Sequence, residues 1–416
     1  MRRDAFWSGL EAGVSAIFSI VTAFAVARIV GPSELGIGAA VTAVFVILWV
    51  IVNALFADAL VQRAAIDHTV LSSAFWASGL VGCLAMLLQG ASGWGLAAIF
   101  GDDRLVPMAL VLAIPLPLVG LAGAVQGKLT RERAYRRLAM RTLIGQSLGA
   151  VTGISTAIAG AGAWACVWQQ AVTATCGALA LVLRRGWGPA RCLDWQAVRD
   201  LLRVGAPLTA STLVLIARYR LFAVLIGGTA GPAMLGQVHI AFRLVDAVRE
   251  LTFTALWRLM LPTMSDHQHD RPALLAEVDR WLRRCLAFIL PVCAILALGL
   301  SQIVARLMGP QWTATGQAGI PLVALMAWSA IGFPSGVALV AAGRVHLTLY
   351  ANLASLVVTA AGVLLVRPAT PWQAVMIWTF SQFLVSPYVM WANARALRVG
   401  ILRPLTGGFG IRSRSC

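Results

Sequence analysis

The sequence predicts an all-α, polytopic membrane protein with about twelve transmembrane helices, arranged as two six-helix lobes in a parallel repeat. Apolar content, the placement of arginine and one recurring turn carry that prediction. Of the 416 residues, 59% are hydrophobic and 12% charged, and the mean hydropathy is +0.82. Soluble domains of this size do not have such a composition. A membrane-crossing helix takes roughly 20 mostly apolar residues, so this apolar content leaves room for about twelve crossings.

The recurring turn is GPSELG, from Gly31 to Gly36, which returns as GPAMLG from Gly231 to Gly236. Glycine ends a helix at low steric cost. Proline cannot continue the hydrogen-bond ladder of that helix, but it suits the first position of the next one. Ser33 and Glu34 favour the positive first turn of the helix that follows. Each copy therefore marks the tip of a tight helical hairpin. A weaker echo, QGKL at 126–129 and AGRV at 342–345, supports an internal duplication.

In order, the predicted spans are 5–28, 37–59, 69–90, 104–125, 138–160 and 162–183, then 204–228, 234–258, 284–306, 317–341, 346–366 and 372–393. Pro115, Pro117, Pro207, Pro291, Pro334 and Pro387 lie inside spans and predict kinks, which helical bundles in lipid tolerate. With the N-terminus placed in the cytoplasm, only Arg28, Arg104, Arg306 and Arg367 of the 33 Lys and Arg residues fall in outward connections. Most of the rest fall on the cytoplasmic side, which is a strong positive-inside pattern. Both termini are then cytoplasmic. The MRR start and the AVA at 25–27 imitate a signal peptide, but Glu11 interrupts the apolar stretch, so this segment is expected to remain as the first helix. The expected organisation is a first lobe at 1–185, a cytoplasmic linker with a short amphipathic helix at 186–203, a second lobe at 204–395, and a basic cytoplasmic tail at 396–416.

Several function classes are disfavoured. The net charge of +17 would suit a nucleic-acid binder, but the basic residues sit between apolar runs with no aromatic-interleaved polar surface, so no nucleic-acid partner is expected. The seven cysteines form no CxxC pair. HExxH and Walker motifs are missing from the sequence, so neither an enzyme nor a cofactor is expected. His267 and His269 in SDHQHD have ligand-type spacing, but a solvated loop is the better reading, and no metal is expected.

The informative residues are charges inside spans. In the eighth span His239, Arg243, Asp246 and Glu250 fall within an arc of about 60° at roughly 100° per residue, with Arg249 flanking it. The seventh span adds Arg218 and Arg220, about 200° apart, and the first adds Glu11. Each such group costs near 3 kcal/mol at the bilayer centre, so these eight facing lipid would cost on the order of 20 kcal/mol. They are expected to face one another or a wet cavity. The arginines outnumber the carboxylates, and guanidinium suits bidentate contact with phosphate. Arg243, Arg218, Arg220, Arg249 and His239 are therefore candidates for a cationic substrate site, with at most one of Arg218 and Arg220 pointing inward. Glu11, Asp246 and Glu250 are candidates for charge balance or for proton or ion coupling, and interhelical pairing is an equal alternative for the last two. Trp7, Ser15 and Thr22 share a face with Glu11.

Beyond these residues, the chain resembles the oligosaccharide flippases of polysaccharide and lipopolysaccharide biosynthesis, within the multidrug/oligosaccharidyl-lipid/polysaccharide exporter superfamily. The resemblance rests on ARIVGPSELG at 27–36, ALVQR at 59–63 with LSSAFW at 71–76, AFRL at 241–244 and MGPQW at 308–312, in family order. It implies two lobes around a central cavity. It also implies transfer of an undecaprenyl-diphosphate-linked oligosaccharide from the cytoplasmic to the periplasmic leaflet of the bacterial inner membrane by alternating access. Polymerase and glycosyltransferases of the same pathway are the implied partners. Arg243 matches an arginine of the family pattern. ARYRLFAVLIGG departs from it, with Arg220 and Phe222 where relatives often carry Asn and Asp, which puts cation coupling through this helix in doubt. A peptidoglycan lipid-precursor flippase, a cation-coupled drug antiporter of the same superfamily and a non-transporting scaffold are the competing readings.

Overall fold

The structure, a computed structural model, describes residues 2–63, 66–267, 270–341 and 347–397. Among the described residues the regular elements are α-helices, with one 3-10 turn. In chain order they are α1 (Arg2–Val30), α2 (Pro32–Gln62), α3 (His68–Phe100), α4 (Leu105–Ala113), α5 (Leu116–Arg131), α6 (Tyr135–Ile158) and α7 (Trp164–Leu183). Then follow α8 (Trp195–Ala230), α9 (Pro232–Ser265), α10 (Arg271–Met308), the 3-10 turn Pro310–Trp312, α11 (Thr313–Ala341), α12 (Leu347–Val366) and α13 (Pro371–Leu397). Every predicted span falls on a helix. The fourth covers two, because the helix breaks at Ile114–Pro115, where proline lacks the N–H that would continue it.

Seven of the described helical segments are long and apolar enough to cross a membrane. An eighth follows if Trp195–Val214 and Ile216–Ala230, bent by 42°, count as one crossing. Among the described residues α1 and α12 contribute only the shorter apolar helices Phe18–Val30 and Leu353–Val366, and α6 and α9 do not qualify. The reason is chemical: Arg136, Arg137 and Arg141 sit in α6, and the charged residues from His239 to Glu250 sit in α9.

The chain forms two compact units, Met1–Gly236 and Gln237–Cys416. In the first, α2 packs on α5 and α8, α3 packs on α5, and α6 packs on α1 and α7. Phe45, Phe56, Leu60, Leu105, Met108 and Leu116 are fully buried in its core. Lipid tails are as apolar as leucine, so cohesion here comes from close packing and polar contacts rather than from exclusion of water. In the second unit α11 packs on α10 and α13, and α12 packs on α13. A buried polar strand of contacts joins the last pair: the Thr359 hydroxyl donates to Ser381 Oγ (2.7 Å), and Gln382 Nε2 donates to Ser355 Oγ (2.5 Å).

The connection between α7 and α8 is fastened to the start of α3. The Ala190 N–H donates to Ser72 Oγ (3.0 Å), the Asp194 N–H donates to Ser73 Oγ (2.9 Å), and Trp76 Nε1 donates to the Ala190 carbonyl (2.9 Å). His68 Nε2 lies 2.9 Å from the Gly188 carbonyl, and the Trp187 ring meets His68 and Phe75 edge-on. The LSSAFW stretch is thus a cleat for the linker, which explains its two consecutive serines. The short amphipathic helix expected within the linker 186–203 is not a separate element. It forms the first turns of α8, capped by Asp194, with Ala197, Val198 and Leu201 as its buried face.

Candidate functional site

The charged arc of α9 has the expected helical geometry. Val238, Ala241, Phe242 and Val245 are buried, and Phe242 meets Trp378 edge-on at 5.3 Å. These positions recur at three- and four-residue intervals, so they form one packed face. His239, Arg243 and Asp246 lie off that face and are half-buried, while Arg249 and Glu250 are exposed. Arg249 Nη2 pairs with Asp246 Oδ1 at 2.9 Å, one turn back. Arg249 is therefore engaged by the acidic group set down as charge balance, an i, i+3 pairing that the sequence spacing allowed.

On α8, Arg218 and Arg220 are both half-buried. The Arg220 guanidinium lies over the neighbouring Tyr219 ring, 5.5 Å from its centroid. Phe222 is fully buried. The Glu11 and Trp7 side chains lie outside the described residues, as does His269. Ser15 accepts a hydrogen bond from Gln146 Nε2 (2.8 Å), which ties α1 to α6, and Thr22 is buried. His267 Nδ1 lies 2.8 Å from the Thr263 carbonyl one turn back.

Sequence reasoning missed a second polar constellation, built on the first recurring turn. Gly31 and Gly231 have nearly the same backbone, φ 85, ψ 167 and φ 88, ψ 166, a region that only glycine enters cheaply. The two turns also meet. A Cβ at Gly36 would overlap the Pro232 carbonyl, and one at Gly236 would overlap the Pro32 carbonyl, so each copy closes on the other reciprocally. From the first copy Glu34 grips Arg104 with both oxygens, Oε1 to Nη2 at 2.9 Å and Oε2 to Nη1 at 3.2 Å. Its Oε2 also accepts from the Ala163 N–H at 2.9 Å. Arg104 in turn holds Asp102, with Nη2 to Oδ2 at 2.8 Å. Hydrogen bonding to Arg104 keeps the Asp102 carboxyl below the ordinary carboxylate range, against the opposing effect of its burial. Its bonds to the two carboxylates raise Arg104 above the usual guanidinium value. The clamp joins the α1–α2, α3–α4 and α6–α7 connections at one end of the first unit.

A bundle of long apolar helices that carries half-buried ionisable residues along α9 is the architecture of a polytopic membrane protein. The fold matches a solved structure described as lipid II flippase MurJ in an inward closed conformation, with a TM-score of 0.79, 12% identity, and coverage of 97% of this chain and 90% of that one. It also matches an inward-facing multidrug resistance MATE family transporter of the MOP superfamily, with a TM-score of 0.68, 14% identity, and coverage of 97% and 96%. At these identities the likeness is one of fold. The model of the polysaccharide biosynthesis protein family matches residues 25–316, and the chain belongs to that family. It is 24% identical over 269 residues to the succinoglycan biosynthesis transport protein ExoT of Rhizobium meliloti, covering 65% of this chain and 54% of that protein. It is 22% identical over 304 residues to the teichuronic acid biosynthesis protein TuaB of Bacillus subtilis, covering 71% and 62%. The chain thus matches less than two thirds of the length of either relative.

Proposed function

We propose that the protein carries a lipid-diphosphate-linked oligosaccharide, a repeat unit of a polysaccharide such as an exopolysaccharide or O-antigen, from the cytoplasmic to the periplasmic leaflet of a bacterial inner membrane by alternating access. Twelve spans in two six-helix lobes, with both termini cytoplasmic, go with this reading. The observation that carries it is the α9 arc, where His239, Arg243 and Asp246 are half-buried beside the packed residues Val238, Phe242 and Val245. A fixed cation within the apolar layer lowers the cost of moving a diphosphate across it. Arg243 takes the diphosphate, with His239 and one of Arg218 and Arg220 as further contacts. Asp246, Glu250 and Glu11 temper the positive charge or carry coupling protons or ions, so the headgroup is released rather than trapped. The membership of a polysaccharide biosynthesis family supports an anionic lipid-linked glycan over a cationic drug as cargo.

The test is transfer of a fluorescent polyprenyl-diphosphate saccharide in proteoliposomes. Arg243→Gln is expected to lower the rate at least tenfold with the protein still monodisperse, and Arg243→Lys to restore part of it. Wild-type transfer by Arg243→Gln would overturn the assignment. The second reading is a peptidoglycan lipid-precursor flippase, favoured by the 0.79 TM-score against the lipid II flippase structure. Rescue of cells depleted of that activity would decide for it.

A further inference from the structure

A separate feature lies on the first unit, where α6 and α7 run side by side. One face of α6 carries Arg136 and Arg137 at its start, Met140 and Arg141 one turn on, and Ile144 and Leu148 beyond them. The adjoining face of α7 runs the opposite way, with apolar residues up to Leu183 and then Arg184 just past its end. Both helices therefore place arginine at the same end and hydrocarbon beyond it. Between them lies an open groove of about 590 Å³, with those four arginines and no carboxylate among its lining residues. Its walls are not closed off by packing: Leu183 is 76% exposed and Leu148 46%. Further along, the helices close on each other. A Cβ at Gly145 would come within 2.7 Å of the Thr173 carbonyl, and one at Gly153 within 2.8 Å of Gln169 Cβ, so the groove narrows where it leaves the arginines.

We propose that this groove holds an anionic glycerophospholipid of the arginine-rich leaflet. Its phosphate sits against Arg137 and Arg184, and one acyl chain lies along Met140, Ile144 and Leu183. The argument is complementarity along one axis, with cation at the headgroup depth and apolar surface at the chain depth. A phospholipid presents the same order, and basic pockets between membrane helices take such headgroups. Arginine matches a phosphate bidentately, so this contact is selective rather than a diffuse attraction. Arg141 is drawn to Gln126 Oε1, so it closes the inner side of the headgroup position. The proposal is independent of which cargo the protein moves, because the groove is built wholly from α5, α6, α7 and Arg184.

The test uses the purified full chain equilibrated with equal amounts of dioleoyl-phosphatidylglycerol and dioleoyl-phosphatidylcholine, with retained lipid read by native mass spectrometry. The wild type is expected to keep phosphatidylglycerol over phosphatidylcholine by at least fivefold. The double variant Arg137→Gln/Arg184→Gln should fall to near parity, while Arg137→Lys/Arg184→Lys keeps most of the preference. Ile144→Trp, which fills the groove and leaves the arginines, should also lose the lipid, and it decides the matter if the glutamine variant does not remain monodisperse. Equal retention of both lipids by the wild type, or unchanged preference in Ile144→Trp, overturns the proposal. So does displacement of phosphatidylglycerol by an equimolar polyprenyl diphosphate, which would make the groove a cargo site instead.

Discussion

The two recurring turns share a backbone and differ in how they are held. Each has glycine at φ near 90, proline opening the next helix, and a second glycine pressed against the other turn's proline carbonyl. In the first copy Glu34 recruits Arg104, and through it Asp102, together with the Ala163 N–H. In the second copy the matching residue is Met234, which is buried, and the end of α3 brings apolar side chains there, Ile99 against Gly228 and Phe100 against Gly227. The connection after α10 is also apolar at its centre, with Trp312 fully buried. The backbone of a duplicated hairpin is thus kept by a steric requirement, while its side-chain fastening is free to diverge between a directional, titratable clamp and a packed one.

Within the second unit, packing should be broken most strongly by Trp312→Ala, which leaves a cavity that neighbours fill only partly. A loss of about 3–5 kcal/mol is expected, read as lowered thermal stability of the detergent-solubilised protein and insensitive to salt. The shared backbone is tested by Gly36→Ala and Gly236→Ala, each expected to cost about 1–3 kcal/mol because the new methyl meets a carbonyl rather than a movable side chain. Reciprocity requires similar losses, and a harmless substitution at only one of the two would break the symmetry. The smallest effect belongs to the clamp. Arg104 is 48% exposed, so Arg104→Gln should cost about 1 kcal/mol or less, and high salt should mimic part of it. Asp102 titrates below its unfolded value, so its contribution is full above about pH 4 and is lost as pH falls through the lower folded value. The difference in thermal stability between wild type and Arg104→Gln should shrink under acid, whereas the Trp312→Ala difference should persist.

Much of this architecture was legible in order of appearance. The Gly-Pro pair fixed both hairpin tips to the residue, since no other pair ends one helix and opens the next so cheaply. Apolar run length placed each helix, and three- and four-residue spacing put His239, Arg243, Asp246 and Glu250 on one side of α9. What spacing did not reveal was partnership across the chain. Glu34 and Arg104 are 70 residues apart, and Ser72 and Ala190 are 118 apart. Glu34 looked like an ordinary acidic residue suited to a helix start, and Arg104 like one basic residue in an outward loop. The two serines of LSSAFW carried the family likeness without disclosing that they fasten the linker.

The sequence by itself determined that the apolar runs are helices, where the two Gly-Pro tips fall and on which face of α9 charge lies, because these follow from local backbone sterics and from the cost of placing charge in hydrocarbon. Only the tertiary structure decided which charges meet, which turn is clamped and which is packed, and where arginine and apolar surface combine into a groove between α6 and α7. Those outcomes depend on distances between segments remote in the chain, which no local periodicity encodes.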